Sequence, residues 1–189
     1  MKSTAALLTA LVFAASAQAN LVTNGDFETG NFTGWTKSGN PGLSDVIANS
    51  VTSNHTFLWR SGATNSPAYI SQNLATSAGN TYDLSFDVFN SVTLPTSTFE
   101  VWFNGIEIYQ FTGQAHNWSH LSFTGLAATG ASTELKFGAR NDPSFTRTDN
   151  IALELASVPT PVPEPGSMAL LAAALVAATG ASLRRRHGG

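Results

Sequence analysis

The stretch "TFEVWFNGIEIYQF", Thr98 to Phe111, decides the fold. Phe99, Val101 and Phe103 alternate with Glu100 and Trp102. A repeat of two residues puts one set on each face of a β-strand. Asn104-Gly105 comes next. A two-residue type I′ turn needs positive φ at both central positions, and Asn-Gly meets that need with little strain. Ile106 and Ile108 then fall on one face of the returning strand, with Glu107 and Tyr109 on the other. The stretch predicts a β-hairpin whose Trp102 faces outward, with Tyr109 or Glu107 across from it.

The same alternation recurs on either side. In "TYDLSFDVFN", Tyr82, Leu84, Phe86 and Val88 point one way, and Asp83, Ser85 and Asp87 the other. Further short strands are expected at "NLVTNGDFE" from Asn20, "DVIANSV" from Asp45, "TFLWRS" from Thr56 and "AYISQNL" from Ala68. Later ones are expected at "WSHLSFTGL" from Trp118, "TELKFGAR" from Thr133 and "NIALELA" from Asn150. Turn-prone runs such as Gly39-Asn40-Pro41-Gly42 and Asn141-Asp142-Pro143 separate them. No apolar period near 3.6 is sustained between 20 and 157. Many short strands with such punctuation predict an all-β fold, a single β-sandwich of the jelly-roll type. Its core is expected to hold Phe86, Val88, Phe99, Val101, Phe103, Leu121, Phe123, Leu135 and Phe137. Burying such side chains contributes about 1.5–3 kcal/mol each.

Both ends of the 189-residue chain read as addresses rather than fold. Lys2, an apolar core from Ala5 to Ala15 and the small-residue pattern Ala17-Gln18-Ala19 have the layout of a secretory signal peptide. Residues 1–19 are therefore expected to be removed by cleavage between Ala19 and Asn20. Residues 20–157 then form one domain, and 158–162 a Pro-rich spacer. Over residues 20–162, five basic residues (Lys37, Arg60, Lys136, Arg140 and Arg147) stand against eleven acidic ones. An acidic domain without a basic stripe excludes nucleic acid as a partner. Cysteine is absent. That excludes thiol nucleophiles, CxxC redox chemistry and Cys-ligated metals.

"NLVTNGDFETGNFTGW" (Asn20 to Trp35) resembles the first strand and loop of jelly-roll domains in the carbohydrate-binding-module and galactose-binding-like superfamily. "KFGARNDPSFTRTDNIALE" (Lys136 to Glu154) resembles their last two strands, where an Asp-Asn or Asp-Asp pair opens the final strand. The resemblance implies the fold, and a structural calcium ion at the positions of Glu28 and Asp149, with Asp26 less closely matched. Read from the residues, Asp26 and Glu28 would share one strand face and Asp149 would approach them. Their hard oxygens suit calcium. The plainer alternative is turn chemistry and solvated carboxylates. Any such calcium is expected to stabilise rather than catalyse.

Three parts stand in order at the C-terminus. They are Pro163-Glu164-Pro165, an apolar run from Met168 through Val176 and beyond, and Arg184-Arg185-Arg186. Together they resemble the PEP-CTERM sorting signal of exopolysaccharide-producing Gram-negative bacteria, placed here at 163–189. The resemblance implies recognition by exosortase, a membrane-embedded processing enzyme. Met168 to Leu183 would make about 24 Å of helix at about 1.5 Å per residue. A hydrocarbon core is about 30 Å thick. The run is expected to be a short transmembrane helix, fit for transient insertion in the inner membrane and marginal as a permanent anchor. Its arginines stay cytoplasmic, which leaves the domain outside. The destination is the cell surface or extracellular matrix.

Sugar rings have apolar faces that stack on indole and phenol, so Trp102 and Tyr109 are the expected glycan platform. Trp35 and Trp118 sit where relatives use Trp for packing. His116 and His120 would align two metal ligands on a helix, but the local pattern is strand and no third ligand is evident, so no zinc site is expected. No G-x-S-x-G frame surrounds any serine. Asp83 and Asp87 on one strand face would lie about 13 Å apart, wider than the carboxylate pair of a glycosidase. The expected function is therefore non-enzymatic association with exopolysaccharide, by weak glycan binding or as matrix material. The alternatives are a secreted carbohydrate-active hydrolase and an adhesion or interaction module without glycan affinity.

Overall fold

The chain divides into two compact units, Met1–Ala156 and Ser157–Gly189. The computed structural model describes residues 18–48 and 56–157. The body of the signal peptide, the spacer and the whole sorting signal, with Pro163, Glu164, Pro165 and Arg184 to Arg186, lie outside the described residues. Among the described residues no helix is long and apolar enough to cross a membrane.

The described part of the first unit is a sandwich of two five-stranded sheets, all of whose pairings are antiparallel. The strands are β1 (Thr36–Gly39), β2 (Ser44–Ala48), β3 (Phe57–Ser61), β4 (Ala68–Ala75), β5 (Thr81–Asn90), β6 (Ser97–Phe103), β7 (Ile106–Thr112), β8 (His116–Ala127), β9 (Ser132–Asn141) and β10 (Thr146–Leu155). The first sheet has the order β1-β4-β9-β6-β7, and the second β2-β3-β10-β5-β8. The all-β jelly-roll expectation holds.

Alternation along the strands builds the core. Tyr82, Leu84, Phe86 and Val88 of β5 are buried, and so are Phe99, Val101 and Phe103 of β6. Phe86 sits at the centre. Its ring centroid is 5.8 Å from Phe99, 5.2 Å from Phe137 and 5.9 Å from Phe123. Edge and offset contacts of this kind add about 0.5–1.5 kcal/mol per pair beyond area burial. Leu121 and Phe123, expected in the core, are half-buried and pack against its margin. Phe27, Leu58, Trp59, Ile70, Ile151 and Leu153 are buried beyond the expected set. Trp59 keeps its indole N–H satisfied by donating to Ser44 Oγ at 2.8 Å.

Three expectations need correction. First, residues 20–28 form no strand. Asn24 and Phe27 have φ of 52° and 54°, a left-handed backbone that breaks strand alternation. The segment instead docks on β10. Leu21 N–H donates to Leu153 O at 2.8 Å, and Ile151 N–H donates to Gly25 O at 2.9 Å. The Asn20 carboxamide oxygen accepts from Leu153 N–H at 3.0 Å. Second, Asp149 does not open the last strand. β10 begins at Thr146, and Asn150-Ile151, just after Asp149, forms a bulge against β5, with Asn150 at φ 54°. Third, the β6–β7 hairpin has its expected Asn104-Gly105 turn, at φ 54° and 75°, but its return strand is out of the expected phase. A bulge between Val101 and Trp102 pairs Val101 with Tyr109 and Trp102 with Glu107. Tyr109 therefore shares the core side with Val101. Its ring packs against Phe86, Phe99, Phe111 and Phe123.

Candidate functional site

The outer face of the first sheet carries two aromatic rings held by charged neighbours. Pairing across β4, β9, β6 and β7 places Tyr69, Gly138, Glu100 and Gln110 in one outward row. The next row holds Ser71, Lys136, Trp102 and Glu107. Tyr69 and Trp102 are both half-buried. The Tyr69 ring lies over β9 because residue 138 has no side chain. A Cβ there would stand 2.4 Å from Tyr69 Cε1.

Lys136 and Glu100 fix the two rings in one arrangement. Lys136 Nζ is 5.4 Å from the Tyr69 ring centroid and 4.9 Å from that of Trp102. A cation over a ring face is attracted by the ring quadrupole. Glu100 Oε2 accepts from Tyr69 O–H at 3.3 Å and from Trp102 Nε1–H at 3.4 Å. One carboxylate thus holds the polar edges of both rings. The Tyr69 phenol is pushed above its ordinary pKa, first by burial and then by the Glu100 charge and hydrogen bond, with Glu107 adding a little.

The sheet separates the two side chains expected to form the platform. Trp102 faces outward, with Glu107 across the hairpin. Tyr109 is on the other side of the sheet, and its phenol is pushed above its ordinary pKa by burial. Tyr69 takes the place expected of Tyr109. The sequence signal for Tyr69 was Gly138 in the middle of "KFGAR", since a glycine inside a strand often marks a close approach. Trp35 is buried and stacks on Phe27 at 5.9 Å. Trp118 is half-buried and packs on Phe89 on the outer side of the second sheet.

The carboxylates expected at calcium are spread apart in role. Asp26 and Glu28 are exposed and flank Phe27, so no strand face joins them. Asp26 Oδ1 accepts from Glu28 N–H at 3.3 Å. Glu28 Oε1 caps the start of β3, accepting from Thr56 N–H at 2.7 Å and Phe57 N–H at 3.1 Å. Asp149 is 1% exposed, and its Oδ1 accepts from Asn150 N–H at 2.8 Å. Among the described residues no three acidic or histidine side chains gather as a metal group.

Asp26 lines an open pocket of about 450 Å³ with Asn20, Asn24, His120 and Asn150. His120 Nδ1 is 2.7 Å from Asp87 Oδ1, and Asn150 Nδ2 donates to Asp87 Oδ2 at 2.5 Å. Asp83 accepts from Gly125 N–H at 3.0 Å. His116 stacks on Phe111 at 4.5 Å. These contacts lock the side chains into the sheet and arrange no nucleophile with a base.

The fold is that of carbohydrate-binding modules. TmCBM61, solved in complex with β-1,4-galactotriose, is similar at 16% identity over 73% of this chain and 99% of its own, with a TM-score of 0.62. The CBM22-1 xylan-binding domain of Paenibacillus barcinonensis Xyn10C is similar at 20% identity over 77% of this chain and 99% of its own, with a TM-score of 0.53. A family 16 carbohydrate-binding module is similar at 19% identity over 71% of this chain and 99% of its own, with a TM-score of 0.52. Residues 161–186 match the PEP-CTERM protein-sorting motif. No curated protein sequence matches the chain.

Proposed function

We propose that this chain is an exported surface protein that binds a glycan chain on the outer face of its first sheet. The carrying observation is the Trp102–Tyr69 pair, joined edge to edge by Glu100 and bridged by Lys136. Fixed rings bind with less loss of side-chain freedom than mobile ones. Lys136 is balanced by Glu100 and Glu107, which fits an uncharged glycan better than a polyanion. The sorting motif supports exosortase processing and delivery to the cell surface, where the host's exopolysaccharide is the nearest glycan. No catalytic step is assigned to the domain.

The test is a glycan array followed by titration of the best hit. Trp102→Ala and Tyr69→Ala should each weaken binding by about tenfold or more, or about 1.4 kcal/mol, with the melting transition retained. Tyr109→Phe, which keeps the core-facing ring, should bind as the parent does. Full binding by both alanine variants would sink the assignment. A structural calcium at Glu28 and Asp149 belongs to the same reading. Chelator should then lower the melting temperature, and added calcium should restore it. Identical melting of calcium-loaded and chelated protein removes the ion from the proposal.

A further inference from the structure

One row of facing residues crosses the second sheet, running Asp45, Arg60, Arg147 and Phe89 from β2 through β3 and β10 to β5. Two arginines therefore stand directly opposite each other on antiparallel strands. Like charges so placed destabilise a sheet. Asp45 neutralises one of them. Arg60 Nε lies 2.7 Å from Asp45 Oδ1, and Arg60 Nη2 lies 2.9 Å from Asp45 Oδ2, a two-pronged pair. Arg147 has no carboxylate and no hydrogen-bond acceptor among the described residues.

Aromatic rings frame the arginines instead. The Arg147 guanidinium carbon is 5.2 Å from the Phe89 ring centroid, and Phe89 packs on Trp118 at 5.7 Å. A bulge in β8 sets Asn117 and Trp118 together against Phe89. Arg60 lies over Phe145 at 4.5 Å. Burial first, and then the Arg60 charge, depress the Arg147 pKa, yet a guanidinium stays charged at any ordinary pH. A cation partly stripped of water, faced by another cation and lacking a protein acceptor, is an unfavourable arrangement for the free fold. A bound anion relieves it.

We propose that Arg147, with Arg60 and Phe89 beside it and Trp118 beyond Phe89, is a second ligand site that takes the carboxylate of an acidic sugar unit. The guanidinium fork matches a carboxylate with two parallel N–H···O bonds. The half-buried Trp118 ring offers the apolar contact that the sugar body needs. A lipid surface or a nucleic acid backbone would call for several cations in a stripe, and this row holds one uncompensated charge in an acidic domain. The site lies on a different sheet from Trp102 and Tyr69 and does not depend on them.

The experiment titrates the full chain with a galacturonate trimer and with the galactose trimer of the same linkage. The parent should prefer the acidic trimer by about tenfold or more at low salt, and the preference should shrink as ionic strength rises. Arg147→Gln should lose the preference and melt no lower than the parent, because its removal relieves the repulsion from Arg60. Trp102→Ala should keep the preference even as neutral-glycan binding falls, which separates this site from the platform. Equal affinity of the parent for the two trimers, or an undiminished preference in Arg147→Gln, overturns the proposal. Displacement of the acidic trimer by an equal concentration of inorganic sulfate, or capture by phosphatidylglycerol vesicles without trimer binding, overturns the assignment to a sugar.

Discussion

Tyr69 and Tyr109 are both half-buried, yet they serve opposite sides of one sheet. Alternation in "TFEVWFNGIEIYQF" located Trp102 correctly, because β6 keeps its phase from Phe99 to Phe103. It misplaced Tyr109, because a bulge between Val101 and Trp102 shifts the partner strand by one residue, and a one-residue slip moves every side chain to the other face. Nothing in the composition of the hairpin announces that slip. Tyr69 was legible only indirectly, through Gly138. The Tyr69–Glu100 contact makes a pH prediction at this scale. The folded chain holds the phenol proton more tightly than the unfolded chain, whose phenol titrates near 10.0. This contribution to stability is fully present below that pH and is lost as pH rises through the raised folded value. Ultraviolet titration should find late phenols at Tyr109 and at Tyr69, the second of which is absent in Tyr69→Phe. Glu100→Gln should move the Tyr69 phenol back toward the ordinary range. A Tyr69 phenol that ignores Glu100→Gln would break the link between the two residues.

Strands were legible where one face is buried and the other solvated. β5 was expected at Thr81 to Asn90 and forms there, since its alternating faces match the two environments. The segment from Asn20 to Glu28 reads as a strand and is not one. Its hydrogen bonds to β10 are real but irregular, and the positive φ of Asn24 and Phe27 is a backbone choice that an alternating pattern does not encode. Bulges likewise escaped notice. The Asp-Asn pair sits in the middle of β10, which starts at Thr146, and Asn150 at φ 54° belongs to a bulge there. The hairpin turn is the element most cleanly fixed by local chemistry, and it can be tested alone. Gly105 has φ 75°, and a Cβ there would touch nothing within 4 Å. Gly105→Ala should therefore cost only the left-handed strain, about 1–2 kcal/mol, seen as a lower denaturation midpoint with glycan binding retained. No loss of stability would mean that the turn relaxes into another form.

At the scale of the molecule, the sandwich class followed from strand count and punctuation, while the order of strands did not. β6 lies between β7, its hairpin partner, and β9, a pairing that depends on distant surfaces matching rather than on local pattern. The two ends of the domain also meet, with Asn20 and Leu21 bonded to Leu153. The tail makes its own prediction. PEP-CTERM processing should yield a surface form whose intact mass lacks the terminal "LRRRHGG", and a native surface form that still carries it contradicts sorting. If the mature protein is held through its C-terminal end while its sheet faces grip glycan, tension enters the domain through β10. That strand is not at an edge. It is laddered to β3 on one side and β5 on the other, and the N-terminal segment is bonded to it as well. A load on it is therefore shared by both neighbours and by the start of the chain.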